Sequence, residues 1–241
     1  HFAPAVAVAM TARGYDVVLT SATSCPPLPG IRLSILLEGG PIGQACMEFN
    51  RETPDHLAQI DDLKLVILAG RWTSFLSPQW KDAEDRWLSM PDGRKADGPQ
   101  SDDLMAEGIL RAAAGPTGRG IPVILFDQVG EFHLSPRNCV ARARMFDREA
   151  GSCRESDDIT SPERARFHRL QDQVMATNPA ISVFHAEQVM CNSSHCDPAP
   201  SGQLLYRDAH HLSVAGAQHF VEVVEPALLE VLEPDRAGFR R

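Results

Sequence analysis

The sequence has 241 residues, 43% of them hydrophobic and 23% charged, which is enough for one sizeable α/β domain over residues 1–241 with a buried core. The net charge of −9 argues against a nucleic-acid-binding surface, which is normally basic. No apolar run has the length needed to span a bilayer, and no signal peptide is recognisable.

Helical and strand patterns alternate along the first hundred residues. The apolar run 63–69 is typical of a central parallel strand, because such strands are covered on both faces. The predicted elements of this part are a helix over 2–12 ended by Gly14, a strand over 16–20, a helix over 51–61, a strand over 63–69, and a loop with a short helix over 76–97.

The same alternation continues to the end of the chain. The predicted elements are a helix from the cap Ser101 to about Ala114, a strand over 121–126, a helix from Ser161-Pro162 to Asn178-Pro179, a strand over 180–184, and a helix capped by Ser213. Helices between buried strands predict a three-layer α/β/α sandwich around a mostly parallel sheet of about five strands. In such folds the ligand lies beyond the carboxyl ends of the strands.

The first residues of the chain already have the pattern of a buried helix. There is no initiator Met, and residues 1–10 show no cap or leader before that helix. We therefore expect the sequence to be part of a longer protein, with the first strand of the domain preceding His1.

Six cysteines lie in segments that resemble loops. Cys191 and Cys196 bracket a short polar loop, which favours a local disulfide and an oxidising compartment. Unpaired thiols in a cytosolic protein are the alternative. Full pairing has fifteen solutions, so the partners of the remaining four stay open at this point: Cys25, Cys46, Cys139 and Cys153.

A zinc site is a second interpretation of the same segment. Its ligands would be Cys191, His195 and Cys196, with Asp197 as a fourth. Structural zinc sites usually have two ligand pairs at characteristic spacing, and the sequence offers one tight pair. We therefore expect no metal.

An acid and an imidazole stand three residues apart near the end of the chain, at Asp208 and His211. A carboxylate that accepts from one ring nitrogen fixes the tautomer, and the other nitrogen can then take a proton from a hydroxyl. His210 competes for the role of base, but its spacing to Asp208 is poorer. The alternative is a surface loop that caps the following helix.

Residues 206–217 resemble the last block of the SGNH hydrolases, above all of the SGNH domain fused to membrane acyltransferase-3 proteins, which reads YRD-x-x-HLS-x-x-GA. Three further segments agree with that subgroup. Residues 24–28 resemble its Cys-Pro loop, residues 65–72 resemble its third-block strand ending in Arg-Trp, and the pair Cys191 and Cys196 resembles its late cysteine pair. The resemblance implies an SGNH-hydrolase or flavodoxin-like fold.

The family's nucleophile lies in a Gly-Asp-Ser-His turn, and residues 1–5 are similar to those that follow this turn. The resemblance thus implies a catalytic serine upstream of His1, with His211 as general base and Asp208 as its partner. General family members place an Asn of the oxyanion hole after a Gly. Gly70 matches that Gly and Trp72 stands at the Asn place, where its indole either donates to substrate or packs.

The function implied by the resemblance is an extracytoplasmic O-acyltransferase or esterase acting on acetyl groups of a cell-surface polysaccharide, such as the O-antigen of lipopolysaccharide. It would need no cofactor, and its partners would be the polysaccharide acceptor, an acyl donor and an attached multi-span membrane acyltransferase domain that tethers it in the periplasm. The alternatives are a secreted stand-alone carbohydrate acetylesterase and a glycan-binding domain that has lost the serine. The acceptor sugar, transfer versus hydrolysis and the oligomeric state do not follow from the sequence.

Overall fold

The computed structural model describes residues 2–37, 40–41, 43–76 and 86–234. Its helices, in chain order, are α1 (Ala3–Ala12), α2 (Gly43–Ala58), α3 (Gly98–Gly118), α4 (Pro136–Met145), α5 (Asp157–Thr177) and α6 (Val214–Leu232). Its strands are β1 (Arg32–Leu37), β2 (Gly40–Pro41), β3 (Val66–Ala69), β4 (Arg86–Ser89), β5 (Val123–Phe126), β6 (Glu155–Ser156), β7 (Ile181–Phe184) and β8 (His195–Cys196).

The chain divides into two compact units. The first comprises residues 1–19, 129–162 and 185–241, and the second comprises residues 20–128 and 163–184. The segment with Asp208 and His211 belongs to the first unit, and the segment with Gly70 and Trp72 belongs to the second.

The second unit contains the parallel sheet that the apolar runs predicted. Its strands have the order β3-β5-β7 and are in register, so Ala69, Phe126 and Phe184 are neighbours at the carboxyl edge. Every residue of β5 is buried, as expected for a central strand covered on both faces. The described residues form a mixed α/β architecture with a parallel sheet, which confirms the predicted α/β class. Among the described residues this sheet has three strands, fewer than the five expected.

A second sheet in this unit was not predicted. It is antiparallel, with the order β2-β1-β4, and Leu33 of β1 pairs with Leu88 of β4. The expectation of loop and short helix over 76–97 is wrong for residues 86–89, where two buried leucines face each other across the pair. The strand is too short for its period to be recognised in the sequence. Residues 77–85 of the predicted loop and short helix lie outside the described residues.

The strand predicted over residues 16–20 is also wrong. These residues have no regular secondary structure, and the side chains of Val17, Val18 and Leu19 are 42–68% exposed. A run of β-branched residues favours a strand, but a strand needs a partner for its backbone hydrogen bonds. None of the described strands pairs with this segment.

Several helix boundaries differ from the prediction. Helix α3 begins after Asp97, whose carboxylate accepts from the backbone N–H of Gln100 while the Gln100 side chain accepts from the backbone N–H of Asp97. This capping box outcompetes the predicted cap Ser101, which is buried inside the helix. Gly115 also lies inside α3 and does not end it. Helices α2 and α5 begin earlier than predicted, and α5 ends at Thr177, as the following Asn-Pro pair indicated.

The first unit is built around α6. Helix α1 packs against it, and the rings of Phe2 and Phe220 stack with centroids 4.4 Å apart. The sequence predicted both helices, and the start of α6 after Ser213 is confirmed. Among the described residues, no helix is long and apolar enough to cross a membrane.

Candidate active site

Asp208 and His211 lie on a narrow loop that precedes α6. A β-bridge between Tyr206 and Leu212 closes the loop, and the backbone N–H of Arg207 donates to the carbonyl of His211 over 2.8 Å. The two sides of this bridge are close in the sequence, so the loop brings the acid and the imidazole together by local geometry.

The carboxylate of Asp208 holds the ring of His211 in one orientation. His211 Nδ1 lies 2.8 Å from Oδ1 and 2.7 Å from Oδ2 of Asp208. The backbone N–H groups of His210 and His211 also donate to Oδ1, over 3.1 and 2.8 Å. A carboxylate only accepts, so the proton of a neutral His211 ring lies on Nδ1 and the lone pair lies on Nε2.

The same contacts keep Asp208 ionised. Partial burial acts to raise the pKa of Asp208, but the backbone N–H groups of His210 and His211, together with the ring of His211, outweigh burial and lower the pKa to about 2. The carboxylate is therefore negatively charged at every pH at which an imidazole can act as a base. A fixed negative charge beside Nδ1 stabilises the imidazolium that forms when Nε2 takes up a proton.

His210 does not replace His211 as the partner of Asp208. Its Nδ1 lies 3.9 Å from Asp208 Oδ1, which is beyond hydrogen-bond distance, and its ring centroid lies 4.1 Å from that of His211. The sequence-based choice between the two histidines therefore agrees with this geometry.

The residues after His211 fix the junction between the loop and α6. Ser213 Oγ accepts from the backbone N–H of Gly216, and the backbone N–H of Ser213 donates to the carbonyl of Leu205. A Cβ on Gly216 would lie 1.9 Å from that carbonyl oxygen, so only glycine fits. The Ser-x-x-Gly spacing in this segment thus has a structural cause.

Two residues that contact this loop, Gly130 and Phe132, were not identified from the sequence. The hydroxyl of the buried Tyr206 donates to the carbonyl of Gly130 over 2.7 Å, and the backbone N–H of Phe132 donates to the carbonyl of Ala209 over 2.9 Å. Gly130 and Phe132 follow a predicted strand, but no spacing in the sequence connects them with a segment 76 residues later.

All six cysteines form disulfides. The predicted pair of Cys191 and Cys196 is confirmed. The other two pairs, which the sequence left open, are Cys25–Cys46 and Cys139–Cys153. The alternative zinc site at this segment is wrong, because the disulfide removes the two cysteine thiolates that would bind the ion.

Comparison with known proteins identifies the family of this chain and a solved structure with a similar fold. The family described as SGNH domain (fused to AT3 domains) matches residues 1–226. The chain belongs to this SGNH family. A solved structure with a similar fold is the periplasmic domain of a lipopolysaccharide acetyltransferase from Salmonella ser. Paratyphi A, with a TM-score of 0.57 and 12% identity over 95% of this chain and 78% of that one. At this identity the likeness concerns the fold, and it confirms the predicted SGNH or flavodoxin-like α/β/α class. No match was found among curated proteins.

In this SGNH domain, Gly70 and Trp72 follow the carboxyl end of β3, as predicted. The side chain of Trp72 is fully buried, its indole N–H donates to the carbonyl of Phe126 over 2.8 Å, and its ring stacks on Phe167 at 5.6 Å. Of the two roles left open in the sequence, packing is the one that this arrangement supports. An indole has a single N–H, and here a backbone carbonyl accepts it.

A metal ion has one conceivable site on the loop of the SGNH domain. Asp208, His210 and His211 each offer a ligand atom, and these atoms lie within 4.8 Å of one another. An ion bound to Nδ1 of His211 would displace the hydrogen bond to Asp208. Proton transfer through Nε2 of His211 uses that hydrogen bond and needs no metal.

Proposed function

We propose that this domain is an SGNH-type O-acyltransferase or esterase that moves acetyl groups onto or off a cell-surface polysaccharide outside the cytoplasm. The observation that carries the proposal is the contact between Asp208 and His211, in which both carboxylate oxygens lie within 2.8 Å of Nδ1. This contact orients the imidazole and supplies two of the three members of a nucleophilic triad.

The third member is expected from the family resemblance as a serine upstream of His1. In the first step its hydroxyl oxygen attacks the carbonyl carbon of the acetyl donor, while Nε2 of His211 takes the hydroxyl proton. The tetrahedral intermediate collapses with cleavage of the bond to the leaving group. The imidazolium of His211 returns the proton to the leaving oxygen, and the serine carries the acetyl group.

The second step repeats the chemistry with an acceptor. Nε2 of His211 removes the proton from a sugar hydroxyl or a water molecule, whose oxygen attacks the acetyl-serine carbonyl. Collapse releases the serine, which regains the proton from His211. A sugar hydroxyl gives transfer and water gives hydrolysis. Asp208 remains ionised in both steps and stabilises each imidazolium.

Three observations support the class of substrate and the location. The family is described as fused to AT3 domains, which supports an attached membrane acyltransferase domain as the source of the acetyl group. The fold is similar to a periplasmic domain of a lipopolysaccharide acetyltransferase. The three disulfides favour an oxidising compartment, since the cytosol keeps thiols reduced.

The test uses the complete natural gene product that contains this chain, called the parent protein below. We expect it to acetylate polysaccharide, as measured by mass spectrometry of released sugars, or to hydrolyse a chromogenic acetyl ester. His211→Ala should abolish both reactions, since removing a triad base costs several orders of magnitude. The matched control is His219→Ala, because His219 lies on α6 with a side chain that is 37% exposed. With the nucleophile upstream of His1, as proposed, residues 1–241 alone should show no turnover.

The outcomes separate the alternatives. Hydrolysis of acetyl esters by a parent without a membrane domain would indicate a stand-alone carbohydrate acetylesterase. Binding of polysaccharide with no turnover, unchanged by His211→Ala, would indicate a glycan-binding domain and contradict the proposal. Turnover by the 241-residue chain that depends on His211 would show that the nucleophile lies within this sequence.

A further inference from the structure

We propose that Tyr206, Gly130 and the disulfide between Cys191 and Cys196 are positioning residues for Asp208 and His211. The expected effect on turnover rests on the proposed function, whereas the expected effect on the orientation and tautomer of His211 does not. The three form a chain of contacts inside the first unit, from the disulfide through a glycine to the base of the loop.

The first contact joins the disulfide and Gly130. A Cβ built on Gly130 would lie 2.5 Å from Cys191 Sγ and 3.5 Å from Cys196 Sγ, so the backbone at Gly130 lies directly against the bridge. Cys196 is fully buried and Cys191 is 8% exposed. Only glycine fits at this position, so the disulfide fixes the position of the Gly130 backbone.

The second contact joins Gly130 and Tyr206. The hydroxyl of Tyr206 donates to the Gly130 carbonyl, and the side chain is 1% exposed. Burial, aided by the negative charge of Glu131, raises the pKa of Tyr206 far above its ordinary value, so the hydroxyl keeps its proton. The edge of the ring packs against Phe132 at a centroid distance of 4.8 Å.

The third contact reaches the loop itself. Tyr206 stands two residues before Asp208 and forms the β-bridge that closes the loop, and the backbone N–H of Phe132 donates to the carbonyl of Ala209, between the acid and the histidines. The short segment with Gly130 and Phe132 therefore holds the loop at two points. The Asp208 side chain is 40% exposed, so burial of this carboxylate does little to fix the loop, and the positioning role falls to these hydrogen bonds.

The chain of contacts has a clear catalytic meaning. The contact between Asp208 and His211 is useful only while Nδ1 carries the proton and the ring keeps its direction. A displacement of about 1 Å, even one caused away from the chemistry, can lower a rate about 100-fold. A positioning role thus predicts loss of turnover without loss of substrate binding.

The first variant is Tyr206→Phe, which keeps the buried ring and removes the hydroxyl. Its matched control is Tyr15→Phe, since Tyr15 is the other tyrosine of the sequence and its hydroxyl donates to Glu233 over 2.9 Å. The second variant replaces both Cys191 and Cys196 by Ser. Its matched control replaces both Cys139 and Cys153, which form the other disulfide of the first unit.

The primary measurement is the ¹⁵N chemical shifts of the His211 ring nitrogens in the parent protein, which report the ratio of the Nδ1–H and Nε2–H tautomers. We expect the two test variants to reduce that ratio and the two controls to leave it unchanged. In the parent protein we expect the test variants to lower kcat about 10- to 100-fold with KM nearly constant.

Folded test variants with unchanged nitrogen shifts would overturn the inference, and so would a loss of tautomer preference of equal size in the controls. Should the double serine variant fail to fold, Tyr206→Phe carries the test alone, because it leaves the packing intact. The nitrogen shifts do not depend on turnover. A parent protein without acetyl chemistry would therefore contradict the proposed function and leave the positioning role supported by the spectra.

Discussion

Replacing Asp208 by Asn perturbs the site by a single atom. The amide of the Asp208→Asn variant can keep its oxygen as the acceptor for the backbone N–H groups of His210 and His211, which donate to Oδ1 over 3.1 and 2.8 Å. The NH₂ group then takes the place of Oδ2, which lies 2.7 Å from Nδ1 of His211. Although the retained oxygen lies 2.8 Å from Nδ1, a proton on Nδ1 would then face an N–H donor at 2.7 Å, so the ring favours the tautomer with its proton on Nε2. The group that should accept the serine proton is then already protonated.

The expected loss in kcat of the parent protein is about 10³-fold, which corresponds to about 4 kcal/mol of transition-state stabilisation. The corresponding change in a well-buried triad lowers kcat about 10⁴-fold, and the loss is smaller here because the Asp208 side chain is 40% exposed and solvent screens its charge. The free energy of unfolding should change by about 1 kcal/mol or less, since the backbone contacts of the loop remain.

The assay is steady-state hydrolysis of a chromogenic acetyl ester or transfer of acetyl to polysaccharide, with the His211 ring nitrogens monitored by NMR. The matched control is Asp92→Asn, the same substitution at an exposed carboxylate that pairs with Arg94. The control should retain its rate within about twofold. A folded Asp208→Asn protein that keeps more than about a tenth of the wild-type kcat would refute the role assigned to this carboxylate.

The other predictions concern the stability of the fold and the three disulfides. Gly216→Ala should destabilise the fold by about 1–3 kcal/mol, because the new methyl group collides with the carbonyl of Leu205; chemical denaturation measures this. Trp72→Phe should cost about 1–3 kcal/mol by leaving the buried carbonyl of Phe126 without its donor, with little change in KM if the indole only packs. The pKa of Asp208 is lowered to about 2 in the folded state, so the stabilisation from its ionised carboxylate is fully present above about pH 4 and is lost as the pH falls through about 2. When the free energy of unfolding is measured against pH, Asp208→Asn should lack this pH-dependent stabilisation. Thiol titration under denaturing conditions should find no free thiol before reduction and six after it, and any other count contradicts the three disulfides.

The loop with Asp208 and His211 could be predicted because its interactions are local. An acid and a histidine three residues apart, followed by Ser213 and Gly216, define a turn, a cap and a close approach within one short segment. Local hydrogen bonds depend on residue type and spacing, and both are visible in the sequence. The catalytic role that the resemblance to the SGNH family implies for those residues stays a prediction.

Elements that depend on distant partners could not be predicted. The segment 16–20 has strand-like residues and no strand, while residues 86–89 form a strand because β1 lies beside them. The cap of α3 at Asp97 is a different case, because its partner Gln100 is only three residues away and the capping box was visible in the sequence but missed. A pairing partner or a better cap decides between conformations whose intrinsic preferences are similar.

The sequence by itself determined the α/β class, the central strands, the start of α6 and the proximity of Asp208 to His211. Each of these follows from periodicity or from contacts within a few residues. The tertiary structure decided the fate of the Trp72 N–H, the pairing of four cysteines and the support of the loop by Gly130 and Phe132. Those features join residues that are far apart in the chain, and their energies depend on distances that only the folded backbone sets.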